Sequence, residues 1–341
     1  MSYVPSSASP THLFKSKQVD VAVDSVRYVD RRQLSNISNS NQIDIDLSPE
    51  TNDELVLLSE SKLHVVFHVE NNKKEGVKPG VAGDDQGAGK IPPTNISVIN
   101  LILYTLFEIV ELAIYQTIVY TARSHHFGHK NYMDMLKSFQ YRSVNNEIKF
   151  CYLDSPGRYI DNTDVEGGNQ GLASRHLRIQ QRKKVHCVGP LNMGFTESGT
   201  LLPPGCETHL KLTRSSDDYV ILSGADDKDG FSLVLDDVYI ELCHVTLRKA
   251  ALLGMKEVLL KQPAMYYYKE TVMTEFTIPQ NTLITTERKV VDGKLPYQLG
   301  AVLITTLSHQ GSKQHNPLHY LVSTHILPLY HSTEYQGCGF V

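Results

Sequence analysis

Residues 187–247 read CVGPLNMGFTESGTLLPPGCETHLKLTRSSDDYVILSGADDKDGFSLVLDDVYIELCHVTL. Leu201 and Leu202 are followed by Pro203, Pro204 and Gly205, which interrupt a strand. Residues 208–212 and 218–222 are strand-like, and Arg214, Ser215 and Ser216 separate them. A polar turn over 224–230 leads into 231–247, where Val234, Val238, Ile240 and Leu242 alternate with polar residues. Repeated short strand and turn, with a period of two, predicts an antiparallel β-sandwich. The chain is expected to cross to a second unit near 226–230. The stretch carries no catalytic signature.

The flanking sequence extends this pattern. Residues 62–69 (KLHVVFHV) place Leu63, Val65, Phe67 and Val69 on one face and His64, Val66 and His68 on the other. Residues 41–47 send Ile43, Ile45 and Leu47 inward and Asp44 and Asp46 outward, and Ser48, Pro49 and Glu50 end the strand. Residues 19–29 alternate loosely and offer Val21, Val23 and Val26 to a core. Residues 148–154 (IKFCYLD), 265–277, 297–307 and 319–329 are further strand candidates. In 265–277 the alternating set is Tyr266, Tyr268, Val272, Thr274 and Phe276. Residues 250–262 have helical spacing and stop at Pro263.

A chain of 341 residues holds two domains or one large one. Its net charge of −4, with 21% charged residues, argues against a dedicated nucleic-acid binder, which carries a basic face or tail. Five Cys at 151, 187, 206, 243 and 338 form no CxxC pair. They predict buried, reduced thiols of an intracellular protein. Residues 1–20 form a polar arm without the basic-then-apolar order of a secretory signal. Residues 97–120 (SVINLILYTLFEIVELAIYQTIVY) are long enough to cross a bilayer. Glu108 and Glu111 at their middle each oppose insertion by roughly 3 kcal/mol. The expectation is no membrane span. A short buried helix over 99–107 is followed instead by a strand with Val110, Leu112 and Ile114 on one face and Glu111 and Ala113 on the other.

His125, His126 and His129 lie close together, but no adjacent Cys or carboxylate completes a tetrahedral set, and the Glu of HExxH is missing. They read as a solvated loop before a helix over 131–139, whose apolar face holds Tyr132, Met135, Leu136 and Phe139. Residues 70–93 form a long surface loop. Its Gly-rich piece has Ile91 after Lys90, where a phosphate-binding loop needs Ser or Thr. The basic run Arg175, Arg178, Arg182, Lys183 and Lys184 lacks interleaved aromatics and reads as a solvated face. The pairs Asp217–Asp218, Asp226–Asp227 and Asp236–Asp237 do not fit a calcium loop. No catalytic, cofactor-binding or metal-ligating residue is assigned, and no cofactor is expected.

Several pieces carry a family likeness. They are 25–32 (SVRYVDRR) with 41–47, the strand pair 55–69, the helix and hairpin 93–119, residues 132–139, and the segments 269–279 and 316–329. The most specific is 188–220, with Gly189, Pro190, Leu191, Phe195, Leu201, Leu202, Pro203, Gly205, Leu212, Arg214, Ser215 and Asp217. On these residues the chain resembles the capsid proteins of Maverick/Polinton elements and adintoviruses. One departure is Tyr115-Gln116, which stands where the family has a hairpin Asn-Gly, so that turn must be built differently.

The resemblance implies a double jelly-roll major capsid protein without enzymatic activity. It would be mainly β, with two antiparallel jelly-roll sandwiches in tandem and short helices in the loops. The first roll is expected over 21–224 and the second over 231–341. About 110 residues follow Gly230, too few for a full roll with its loops, so the second roll is expected to be shortened, with open edges. The implied partners are two further copies in a trimeric capsomer, other capsid proteins and, through Arg175–Lys184 if that run lines the inner surface, packaged DNA. The implied location is the virion, after assembly in the host nucleus or cytoplasm. Contact residues are expected in the loops 70–93 and 155–184. Open alternatives are a penton-type minor capsid protein with a single jelly roll and an extra domain, a non-viral β-sandwich binding protein, and a metal-dependent enzyme using His125, His126 and His129.

Overall fold

The computed structural model describes residues 22–33, 41–71, 95–138, 144–155, 159, 162–180, 183–223, 231–268, 271, 303–304, 320–321 and 336–340. The arm 1–20, most of the loop 70–93 and the turn 224–230 lie outside them. So do Arg182, Phe139, Val272, Thr274, Phe276 and most of 297–307 and 319–329.

The strands up to Leu247 run β1 (Val23–Arg32), β2 (Gln42–Asp46), β3 (Glu54–Leu57), β4 (Lys62–Asn71), β5 (Ile96–Val98), β6 (Phe107–Ile114), β7 (Thr117–Ala122), β8 (Val185–Pro190), β9 (Leu201–Leu202), β10 (Thr208–Arg214), β11 (Ile221–Ser223) and β12 (Phe231–Leu247). One sheet has the order β1-β12-β4-β8, with β3 and β9 continuing beside the far end of β12. The other has the order β2-β10-β6-β7. With the short β3, β5, β9 and β11 set aside, eight strands remain, and they nest. The first pairs with the last (β1·β12), the second with the seventh (β2·β10), the third with the sixth (β4·β8) and the fourth with the fifth (β6·β7), all antiparallel. Such a strand-pair ribbon rolled into two facing sheets is a jelly roll.

This pairing corrects the expected boundary. Phe231–Leu247 does not open a second roll. It is the closing strand of the first, lying between β1 and β4. Alternation shows that a strand has one inward face, but it does not name the neighbour. Val234 is also corrected: it pairs opposite His68 and is only partly buried, while Phe231, Leu233 and Leu235 are the buried set. A bulge between Leu235 and Asp237 adds one residue, so the inward phase resumes at Val238, Ile240 and Leu242.

The core lies between the two sheets. Ile43, Ile45 and Leu47 face it from the β2 side, and Leu63, Val65, Phe67 and Val69 from β4. Val110, Leu112 and Ile114 face it from β6, as the alternation predicts, and Leu210 and Leu212 face it from β10. Each such fully buried side chain contributes about 1.5–3 kcal/mol. β1 departs from its expected role. Val26 is 51% exposed and Val23 only partly buried, and Val21 lies outside the described residues.

The helices are α1 (Ile102–Thr105), α2 (His126–Ser138), α3 (Val144–Ile148), α4 (Gln170–Ile179), α5 (Asp217–Val220) and α6 (Lys249–Leu259). The buried helix expected over 99–107 is the single turn α1, entered through Leu101 at φ 55° and followed by β6. No helix among the described residues is long and apolar enough to cross a membrane. The strand expected over 218–222 is half helix: α5 takes Asp217–Val220, and only Ile221–Ser223 pair, with β5. The β6–β7 hairpin turns at Tyr115, whose φ is 53°. The Tyr115 N–H donates to Glu207 O (2.7 Å) and its hydroxyl to Gly205 O (3.0 Å), which offsets the missing Asn-Gly.

Residues 148–154 do not form a strand. Lys149 and Phe150 close the end of α3, with Phe150 at φ 58°. At Tyr152 a side chain takes the place of a neighbouring strand. Asn100 Nδ2 donates to Tyr152 O (2.6 Å), and Asn100 Oδ1 accepts from Tyr152 N–H (3.0 Å).

Beyond α6, β13 (Ala264–Tyr268) pairs with β16 (Gln336–Phe340), and β14 (Leu303–Ile304) with β15 (Tyr320–Leu321), in separate small sheets. β13 is tied to the jelly roll. Tyr266 and Tyr268 are buried against Phe195, and their hydroxyls donate to Leu201 O (3.0 Å) and Val119 O (3.2 Å).

Candidate interaction surfaces

The basic run does not form one face. Arg175 is fully buried on α4, where its Nη1 meets Asp154 Oδ1 at 2.9 Å and its Nε donates to Val98 O at 2.9 Å. Asn169 caps the helix by accepting from the Gly171 and Leu172 N–H groups, which fixes its start and aims Arg175 inward. Arg178 reaches Glu147 at 3.7 Å on the surface, and Lys184 pairs with Asp236 at 2.7 Å. Two of the cations available to an acidic ligand are therefore already opposed by carboxylates, and a third is inside the protein.

The histidine cluster is not the solvated loop expected from its spacing. His125 has φ 62° and stacks on Tyr219, with ring centres 3.6 Å apart and planes 7° from parallel. Its Nδ1 lies 3.2 Å from Ser215 Oγ. His126 begins α2, and His129 is buried within it. Among the described residues no three His, Cys, Asp or Glu side chains gather as a metal site. Asp217 is engaged by Arg214 and by the Leu233 N–H, and Asp237 by Arg32. Asp226 and Asp227 lie outside the described residues. Cys151, Cys187, Cys206 and Cys243 are buried and unbridged. Burial pushes the Cys151 thiol up to about 12, so it stays protonated and unreactive near neutrality.

The outward face of the β1-β12-β4-β8 sheet carries a set of ionisable groups. One row crosses all four strands. His186 on β8 lies 3.0 Å from His64 on β4, nitrogen to nitrogen. His64 stacks on Tyr239 of β12 at 4.4 Å, and the Arg32 guanidinium of β1 covers Tyr239 at 4.8 Å. Burial, and then the neighbouring His186, lower the His64 pKa. Lys62–Glu241 flanks the row on one side, and His68 with Asp236 and Glu70 on the other. Alternation placed His64 and His68 on this face. It could not place His186 beside His64, 122 residues away in the chain.

No family model matches the chain, and no curated protein does. Among solved structures it is similar to PBCV-1 VP54, a crystal structure fitted into a cryo-EM reconstruction of the virophage Sputnik. The TM-score is 0.42 at 11% identity, over 75% of this chain and 49% of that one. It is also similar to the Faustovirus major capsid protein, with TM-score 0.42 at 10% identity over 75% and 59%. The mavirus major capsid protein gives TM-score 0.35 at 8% identity over 76% and 53%. The chain thus spans between about half and three fifths of the length of these proteins.

Proposed function

We propose that the chain is a structural capsid subunit that works by burying surface against other subunits, without turnover. The observation that carries this reading is the nested eight-strand pairing, from β1 with β12 to β6 with β7. Jelly rolls serve in capsids, lectins and cupins. Between the two sheets Leu63, Val65, Phe67, Val110, Leu112 and Leu210 are buried in one apolar core. The sequence likeness of 188–220 to Maverick/Polinton and adintovirus capsid proteins supports the same reading. In its finer form the subunit belongs to that group and forms a trimeric capsomer in a virion, assembled in the host nucleus or cytoplasm. The first roll then extends through Leu247, and a second unit is built from the chain after it. Contact with packaged DNA through Arg178–Lys184 would be weak, because Glu147 and Asp236 already oppose two of those cations.

A second reading, a single-roll penton-type protein with an added domain, is favoured by one observation. The roll is complete by Leu247, and β13–β16 is a separate small sheet pinned to it. Size-exclusion chromatography with light scattering on the purified chain, followed by electron microscopy, tests both. A discrete trimer supports the major-capsid form, and a pentamer the penton form. A stable monomer that does not assemble with other capsid proteins overturns the capsid reading.

A further inference from the structure

Seven of the eight strands of the roll bury at least one side chain, and β1 buries none. Val26 and Tyr28 are half exposed on it. What holds β1 is its backbone ladder to β12, from Val23 opposite Leu247 to Arg32 opposite Tyr239, a bond from Arg31 Nη2 to Ser48 O (3.1 Å), the cation–ring contacts Arg32–Tyr239 and Lys62–Tyr28, and a set of ion pairs. Arg27 joins Glu50 (2.7 Å) and Glu54 (2.8 Å), Arg31 joins Glu50 (3.3 Å), and Arg32 joins Asp237. These charges are partly open to solvent, where salt screens them. A strand with no buried apolar anchor and a solvent-facing ladder opens at lower free energy than the core around it.

The surface beneath β1 is different in kind. Leu242, Cys243, His244 and Val245 of β12 are buried, and Tyr28 lies directly opposite Cys243. The other flank of β12 is occupied by β4 and β3. When β1 leaves, one edge opens, with unpaired N–H and C=O groups from Tyr239 to Leu247 and the carboxylates of Glu50, Glu54 and Asp237 beside it. The strand that matches this edge in hydrogen bonding, and has arginines at the required spacing, is β1 itself. Every copy of the chain carries one.

We propose that β1 is a releasable strand, and that the β12 edge it uncovers accepts β1 of a second copy of this chain. Exchange of an identical element needs no new complementarity, because the receiving site is already built for it. This inference does not rest on the capsid reading, since it follows from the strand pairing and burial alone.

Ser25 lies opposite Thr246. The single variants Ser25→Cys and Thr246→Cys are mixed under mild oxidation. A cross-chain 25–246 disulfide, located by peptide mass mapping, that forms faster than the collisional 25–25 disulfide of the Ser25→Cys variant alone reports β1 of one copy lying on β12 of another. Raising salt from about 0.1 M to about 1 M shortens the screening length from about 10 to about 3 Å and is expected to speed that bond about tenfold. Labelling of Cys243 in the unsubstituted chain should rise in parallel, while Cys187, buried in β8, stays protected. The double variant Ser25→Cys/Thr246→Cys serves as the folding control, because it closes within one chain if the register is native. Cys243 labelling no faster than Cys187 overturns release. Cys243 labelling without a cross-chain bond, while the double variant closes internally, overturns the second copy as occupant.

Discussion

Arg175 and Asp154 meet inside the protein, with Nη1 2.9 Å from Oδ1, and neither side chain reaches solvent. The pair ties α4 to the segment after α3. Through Arg175 Nε on Val98 O it also ties both to β5. Gly171, one turn earlier, makes this possible: a Cβ there would stand 2.6 Å from Asp154 Oδ1 and 2.7 Å from Leu153 O.

Replacing Arg175 with Met should strand the Asp154 carboxylate and destabilise the roll by about 3–5 kcal/mol. The double variant Arg175→Met/Asp154→Leu should recover much of that loss, because no uncompensated charge remains. Urea unfolding of the three proteins checks this. Equal losses in the single and double variants would rule out the stranded charge as the cause.

Asn100 stands in for a neighbouring strand by bonding both the N–H and the C=O of Tyr152. Asn100→Ala leaves both groups unsatisfied and should lower stability by about 2–4 kcal/mol. Amide exchange over residues 151–155 should accelerate more than in β4. Uniform acceleration across both regions would mean that Asn100 has no local role.

Tyr266→Phe and Tyr268→Phe each remove one hydroxyl bond between β13 and the jelly roll. Each should weaken that attachment by about 1 kcal/mol while the rings keep their packing on Phe195. Hydrogen exchange over 264–268 should report the loss, with β10 and β6 unchanged.

Acid should loosen the sheet. Burial holds the pKa of His64, and of the fully buried His244, below the ordinary 6.5 of an unfolded chain. The unfolded chain therefore takes up protons first. Stability is complete above about pH 6.5 and is lost as the pH falls from there toward the folded values. His186 lies against His64, with Glu241 acting in the opposite sense. Glu54 favours protonation of His244, while Arg27 and Arg31 oppose it. The thermal midpoint should drop between about pH 7.5 and about pH 5, and His64→Gln should flatten that slope. A parallel slope in the variant would remove His64 from the acid response.

The sequence by itself determined which residues turn inward along β2, β4 and β6. Side-chain direction in a strand is set every second residue by the backbone, so Ile43, Phe67 and Leu112 could each be read locally. It also determined the helix ending before Pro263 and the alternation of Tyr266 and Tyr268. Tertiary structure decided what each strand meets. Pairing joins residues far apart in the chain, such as Arg32 with Tyr239, and no local period records it. That is why Phe231–Leu247 reads as the start of something new and is instead the strand that closes the roll. Burial of charge was hidden for the same reason. Arg175 resembles its neighbours Arg178 and Lys184 in sequence, and only the arrival of Asp154 and Val98 O around it makes a buried position tolerable.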